Sequence, residues 1–99
     1  MLDQTKIDNI AKATATSHWG AANIVGASSS PIIDYDGNPA LQITIFLTSE
    51  LSTAQMPKNA AINTLTEVHD KLLKAGDDRF PFIRYTTQAN LTARSDDEL

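Results

Sequence analysis

The sequence predicts a small α+β domain in two layers, with element order α-β-β-α-β and both helices on one face of a three-stranded mixed sheet. Apolar residues recur at helical spacing in residues 3–16 and 58–75, and they alternate with polar ones in residues 41–48. Asp36-Gly37 lies between two apolar runs, as expected of a β-hairpin. A chain of 99 residues without Cys can bury one modest core.

The first helix is expected over residues 3–16. Its apolar stripe follows i, i+3, i+4, i+7 spacing and consists of Ile7, Ile10, Ala11 and Thr14. Asp3 is a suitable N-cap, because its carboxylate can accept a hydrogen bond from a free backbone N–H of the first turn. The threonines and serine of residues 14–17 weaken the last turn, and Gly20 can adopt the left-handed conformation that ends a helix.

The hairpin follows. Its first arm is mildly apolar at residues 21–25, is interrupted by the serines and proline of residues 27–31, and resumes at Ile32. Pro39 cannot donate to a strand ladder, so we expect a connection longer than two residues. The second arm has one continuous core face, formed by Leu41, Ile43, Ile45 and Leu47.

Residues 58–75 form the second predicted helix. Its stripe at helical spacing contains Ile62, Leu65, Val68, His69 and Leu72. Glu67–Lys71 and Asp70–Lys74 are favourable i,i+4 pairs, and Gly76 is well placed to follow the helix end. His69 is expected to lie at the boundary of the core.

A third strand is predicted over residues 79–85, and Pro81 places it at a sheet edge, at a bulge or near a strand start. Phe80 and Phe82 share one face, which we expect to enter the core. Arg79 is expected to pair with a neighbouring aspartate. In the linker over residues 48–57, Leu51 and Met56 are candidate core anchors.

The domain is expected to span residues 1–90, and residues 91–99 read as a flexible acidic tail. The second and third strands should be parallel, joined by a crossover through the second helix. Such a small sheet leaves its edges and one face open. A homodimer, packed through an edge or through a face, would cover them.

Composition restricts the function classes. The formal charge is −4, which argues against non-specific coating of nucleic acid, although residues 58–94 carry six basic against four acidic side chains. Without Cys, a secretory signal or an apolar run approaching the ~20 residues that span a bilayer, we expect a cytoplasmic protein with no membrane contact.

No catalytic, metal or cofactor motif is present in the sequence. A zinc site would need a third or fourth ligand besides the two histidines, which only Asp or Glu could supply, and neither His-x-x-x-His nor His-Glu-x-x-His occurs. Gly26-Ala27-Ser28-Ser29-Ser30 lacks the second glycine of a nucleophile elbow, and no glycine-rich phosphate loop occurs. An EF-hand loop that began at Asp34 would need Gly at its sixth position and Glu at its twelfth, where this chain has Pro39 and Ile45. We therefore expect no enzyme activity, no metal and no cofactor.

Two groups of residues remain as candidate sites. Basic and aromatic side chains that could contact nucleic acid or a protein partner are Lys71, Lys74, Arg79, Arg84 and Tyr85. His18 and Trp19 are candidate contacts for a small ligand near the serines of residues 28–30. Their more common role is structural, at the end of the first helix.

The α-β-β-α-β order is similar to the type II KH arrangement of small ribosome-associated factors. The signature of that family is a Gly-x-x-Gly loop between two short helices before the last strand. Residues 58–75 instead predict one helix and contain no Gly-x-x-Gly. The similarity therefore concerns element order alone and implies no RNA clamp.

The leading hypothesis is a non-enzymatic protein-interaction or accessory module that self-associates. The alternative is an accessory protein that binds RNA or single-stranded DNA through the basic and aromatic residues of the C-terminal half. A second alternative is a small-ligand-binding protein with its site near His18 and Trp19.

Overall fold

The computed structural model describes residues 2–48 and 59–87. It confirms the α+β class, with a three-stranded mixed sheet and two helices on one face. The elements in chain order are α1 (Gln4–Trp19), a 3-10 turn (Ala21–Asn23), β1 (Ile24–Ile33), β2 (Pro39–Leu47), α2 (Ala60–Lys74) and β3 (Phe80–Thr87). In the described part of the chain, no helix is both long enough and apolar enough to cross a membrane.

Helix α1 begins where the sequence predicts and ends three residues later than expected. The Asp3 carboxylate accepts a hydrogen bond from the Lys6 backbone N–H at 2.9 Å. The apolar stripe continues through Ala15 to Trp19, both buried, and this burial outweighs the poor helix propensity of the intervening residues. Gly20, with φ of 95°, ends the helix.

Strand β1 is continuous, so the predicted interruption over residues 27–31 is wrong. Its ladder with β2 is antiparallel and runs from Ile24 opposite Leu47 to Ile33 opposite Pro39. Pairing with a strongly β-forming strand overrides the low strand propensity of serine. The Ser29 side chain faces the helices, where its hydroxyl donates to the Asp8 carboxylate at 2.6 Å.

The hairpin loop covers residues 34–38 and is longer than two residues, as Pro39 predicts. The Asp34 carboxylate accepts hydrogen bonds from the backbone N–H groups of Asp36 and Asn38, both at 2.9 Å. Gly37 has a φ of 82°, which the turn requires and most side chains disfavour.

Helix α2 confirms both predicted ion pairs. Lys71 Nζ lies 2.8 Å from Glu67 Oε2, and Lys74 Nζ lies 2.9 Å from Asp70 Oδ2. Gly76, with φ of 94°, follows the helix end.

The core lies between the central strand β2 and the two helices. β2 pairs antiparallel with β1 and parallel with β3, and α1 packs on β1 while α2 packs on β3. Buried side chains of the core include Ile7, Ala11, Trp19, Leu41, Ile43, Ile45, Val68 and Leu72. The predicted anchors Leu51 and Met56 and the tail of residues 91–99 fall outside the described residues.

The prediction that Phe80 and Phe82 enter the core is wrong. Register places Phe82 beside Gln42, and Ile83 beside the buried Ile43. Because side chains alternate along a strand, Ile83 and its neighbours of the same parity face the helices. The two phenylalanines lie on the opposite face, with 39% and 41% of their surfaces exposed.

Candidate functional site

The most unusual surface of the described chain is the side of the sheet that faces away from the helices, here called the open face. The strand registers arrange it in four rows of three residues, each row running from β1 through β2 to β3. The rows are Gly26–Phe46–Thr86, Ser28–Thr44–Arg84, Ser30–Gln42–Phe82 and Ile32–Ala40–Phe80.

The open face contains a single ionisable side chain, Arg84. The solvated face of a sheet with one covered side normally alternates polar and charged residues with the core positions. Here the residues that β1 contributes to the first three rows have small side chains, whereas β3 contributes two phenylalanines. We call the four residues from one strand a column. The scarcity of charge and the exposed aromatic rings are features that this face shares with the centres of protein interfaces.

The apolar end of the open face is formed by the Phe80 and Phe82 rings, which meet edge to face with centroids 5.0 Å apart. Next to Phe82, a shallow hollow of about 310 Å³ reaches across the sheet to Ile32 and the hairpin loop. Tyr35, fully exposed at that loop, forms the rim of the hollow. The hollow is open, apolar and shallow, a shape that fits a protein side chain.

Arg84 lies along the sheet and does not project from it. Its Nε donates to the Thr44 hydroxyl at 3.0 Å, in the same row. In the next row, Gln42 Nε2 donates to the Phe82 carbonyl at 3.1 Å. These bonds tie the two polar side chains to neighbouring strands of the sheet.

The apolar surface continues around the edge of β3 to α2. A groove of about 430 Å³ is lined by Ile62 and Leu65 of α2 and by strand residues that include Phe80 and Phe82. The His69 ring of α2 meets Phe80 edge to face at 5.2 Å, so the Phe80 ring reaches around the edge of β3 towards α2. His69 itself is half-buried, as expected of a residue at the core boundary. Phe82 borders both the groove and the open-face hollow and so joins them.

The five basic and aromatic candidates are not brought together. Arg84 alone lies on the open face, while Tyr85 faces the helices, its ring 4.9 Å from that of Trp19. Arg79 pairs with the buried Asp77 carboxylate at 2.7 Å, as the sequence predicts. Lys71 and Lys74 lie on α2, in their ion pairs.

His18 and Trp19 have structural surroundings. His18 Nε2 lies 2.9 Å from Glu67 Oε1, which links the two helices. Hydrogen bonds from Lys71 and then from His18 hold the pKa of Glu67 below its ordinary value. Trp19 is only 2% exposed. The pair thus closes the space between α1 and α2.

A group of buried polar atoms lies beneath the helices. Three buried atoms have no partner at hydrogen-bond distance and angle within the described residues: the Tyr85 hydroxyl, Trp19 Nε1 and Thr64 Oγ1. Burial raises the pKa of Tyr85, and the nearby Trp19 and Thr64 groups offset this only partly. These atoms have no access to solvent, so they are not open to a ligand in this conformation.

Among residues 2–48 and 59–87, no group of three His, Asp or Glu side chains is placed to hold a metal ion. No protein-family model, curated protein or solved structure matches the chain.

One feature of the sequence of β3 does indicate the open face, although the assumption that only one face of the strand is apolar conceals it. Phe80, Pro81, Phe82 and Ile83 are apolar at both parities of a strand. A strand that packs on one side only should be apolar at one parity, whereas a strand apolar at both has two faces to cover.

Proposed function

We propose that this protein is a non-enzymatic interaction module that self-associates through the open face of its sheet. One observation carries the proposal: Phe80 and Phe82 are about 40% exposed on a face with a single charge. Large contiguous apolar patches on a protein surface commonly mark a site of contact with another molecule. Aromatic side chains in such a position are also the residues that contribute most to interface energies.

The dimensions of the open face set the strength of the contact. Strand spacing and rise give it a footprint of roughly 14 by 26 Å, which is small beside the ~800 Å² per partner of a standard interface. Tyr35, fully exposed at the hairpin loop, extends the apolar rim beyond the sheet. We therefore expect a dimer that dissociates in the micromolar range or above.

A charge in the centre of the apolar end tests the proposal. We expect the unaltered chain to show a dimer fraction that rises with concentration in analytical ultracentrifugation. Phe82→Asp should abolish the dimer, because it buries an unpaired carboxylate at the contact. Leu73→Asp is the matched control, since Leu73 is 49% exposed on α2 and lies outside the open face.

Circular dichroism of both variants establishes that they fold. The proposal fails if the unaltered chain remains a monomer at millimolar concentration. It fails equally if Phe82→Asp dimerises as strongly as Leu73→Asp.

A second candidate function is supported by the same exposed rings. Phe80 and Phe82 beside Arg84 could stack and neutralise single-stranded nucleic acid. With one cation on the face, such binding would be weak, and the logarithm of its binding constant would fall with the logarithm of salt concentration at a slope that corresponds to about one phosphate contact. Anisotropy of labelled single-stranded RNA and DNA at low ionic strength, compared with Arg84→Ala, tests it. Binding that is absent at low salt removes this candidate.

A further inference from the structure

We infer that two copies pack open face to open face about a two-fold axis parallel to the strands, so that β1 of each copy covers β3 of the other. This inference rests on the proposed function and specifies its geometry. The result is a four-layer dimer, with helices outside and two sheets in the middle. Packed sheets of this kind lie about 10 Å apart.

Shape complementarity in the row of Ser30 favours this axis, and in the last row the axis brings Ile32 of one copy against Phe80 of the other, an apolar contact. The β1 column is small in the rows of Ser28 and Ser30, whereas the β3 column is bulky in the row of Phe82. Rotation about an axis that runs parallel to β2, midway between the sheets, places each row of one copy opposite the same row of the other. It also places β1 of each copy opposite β3 of the other. Ser30 of one copy then receives Phe82 of the other, and this exchange occurs twice by symmetry.

A two-fold axis perpendicular to the strands fits less well. It would place β3 over β3 and β1 over β1 with the order of the rows reversed. Phe82 would then oppose Arg84, two long side chains, while Ser28 would oppose Ser30, where the serines leave space between the sheets. With the axis parallel to the strands, the two β3 strands lie on opposite sides of the interface, and the Cα atoms of the two Arg84 residues are about 14 Å apart. Like charges are thereby separated.

Pairing through a sheet edge is disfavoured by the helices. α2 packs on β3 and α1 packs on β1, so each edge strand has a helix beside it. In antiparallel edge pairing the helices of both copies lie on the same side of the joined sheet, and they would crowd each other because paired strands are ~4.8 Å apart whereas packed helix axes need 8–10 Å. Parallel edge pairing would place the helices on opposite sides and would leave the open face of each copy uncovered. The open face has no such obstruction among the described elements.

The absence of cysteine makes the geometry directly measurable. Ser28 and Arg84 are exposed residues of one row, on β1 and β3. Across the proposed interface, Ser28 of one copy faces Arg84 of the other at about the 10 Å sheet separation, whereas the two copies of Ser28 are about 14 Å apart. We would treat Ser28→Cys, Arg84→Cys and their equimolar mixture with a short bismaleimide.

The mixture should give a cross-linked dimer on a denaturing gel, and neither variant alone should do so. Efficient cross-linking of Ser28→Cys by itself would overturn the parallel axis. Ultracentrifugation of the uncross-linked mixture separates the two proposals. A dimer that cross-links in the wrong pattern refutes only the geometry, whereas the absence of a Phe82-sensitive dimer refutes the proposed function.

A second variant tests the geometry without a linker. Ser30→Trp enlarges an exposed position, and in the proposed dimer it would collide with Phe82 of the other copy. We expect dimerisation to weaken about tenfold or more, as overpacking of a fitted contact does. If the axis were perpendicular to the strands, the introduced indole would instead fill the space between the serines of the two copies and would tighten the dimer. A tighter dimer of the Ser30→Trp variant would therefore overturn the inference.

Discussion

Asp77 connects three parts of the chain through one carboxylate. It is fully buried, and it accepts hydrogen bonds from Arg79 Nε at 3.0 Å and from the backbone N–H of Leu2 at 3.2 Å. The Arg79 guanidinium, itself 10% exposed, reaches the second carboxylate oxygen. The pair ties the start of α1 to the connection between α2 and β3.

We expect Asp77→Asn to lower the free energy of unfolding by about 3–5 kcal/mol, because it leaves the buried Arg79 charge unpaired. Chemical denaturation at pH 7 measures this loss. Asp70→Asn is the control: its carboxylate pairs with Lys74 at the surface, and the cost should be about 0.5 kcal/mol or less. Equal losses in the two variants would contradict this account.

The same pair predicts the response to acid. The hydrogen bonds from Arg79 hold the pKa of Asp77 well below its ordinary value. A carboxylate with a depressed pKa stabilises the fold fully above the unfolded pKa of about 3.9 and loses that contribution as pH falls towards the folded value. Denaturation curves from pH 7 to pH 2 should therefore show a decline that is much shallower in Asp77→Asn.

At the scale of the element, Gly76 ends α2 in a conformation that few other residues adopt. Its φ is 94°, and its N–H donates to the Leu73 carbonyl at 3.1 Å. No atom lies within 4 Å of where a Cβ would stand, so any cost of substitution is one of backbone conformation.

We expect Gly76→Ala to destabilise the protein by about 1 kcal/mol, because an L side chain disfavours this φ. Gly26→Ala is the matched control, since that site is equally open and its φ is not positive. Thermal and chemical denaturation of the two variants should show a loss for Gly76→Ala and no loss for Gly26→Ala. A loss of the same size in both would show that φ is not the cause.

Elements with strong local signals were predicted well, and the exceptions have a common cause. Helix α2 and the hairpin follow from periodicity, capping residues and Asp36-Gly37. Strand β1 was predicted in two pieces, because Ser28 to Ser30 have low strand propensity. Its continuity depends on the β2 ladder, a contact distant in sequence that no local pattern reports.

At the scale of the whole molecule, self-association couples to stability. If folded chains dimerise and unfolded chains do not, dilution shifts the equilibrium towards unfolding. We expect the midpoint of thermal unfolding to rise with concentration for the unaltered chain and to stay constant for Phe82→Asp. Calorimetry across a hundredfold concentration range makes the comparison, and a concentration-independent midpoint for the unaltered chain would argue against the dimer.

The candidate site shows where sequence reasoning stopped. Arg79, Arg84 and Tyr85 lie within seven residues of the sequence, yet they belong to three environments: a buried ion pair, the open face and the core. Phe82 was assigned to the core because aromatic residues usually lie there. Which parity of β3 is buried depends on its register with β2, and the sequence of β3 is apolar at both.

By itself, the sequence determined the element order, the start of α1, the end of α2, the hairpin and the apolar side of β2, since each rests on contacts between near neighbours or on strict alternation. Only the tertiary structure decided that β1 runs through its serines and that Phe80 and Phe82 face outward. Both outcomes follow from strand register, which for the β1 serines is set by pairing with residues 12 to 16 positions away and for the two phenylalanines by pairing with residues 40 positions away. The open face, and with it the proposed function, is a product of that register.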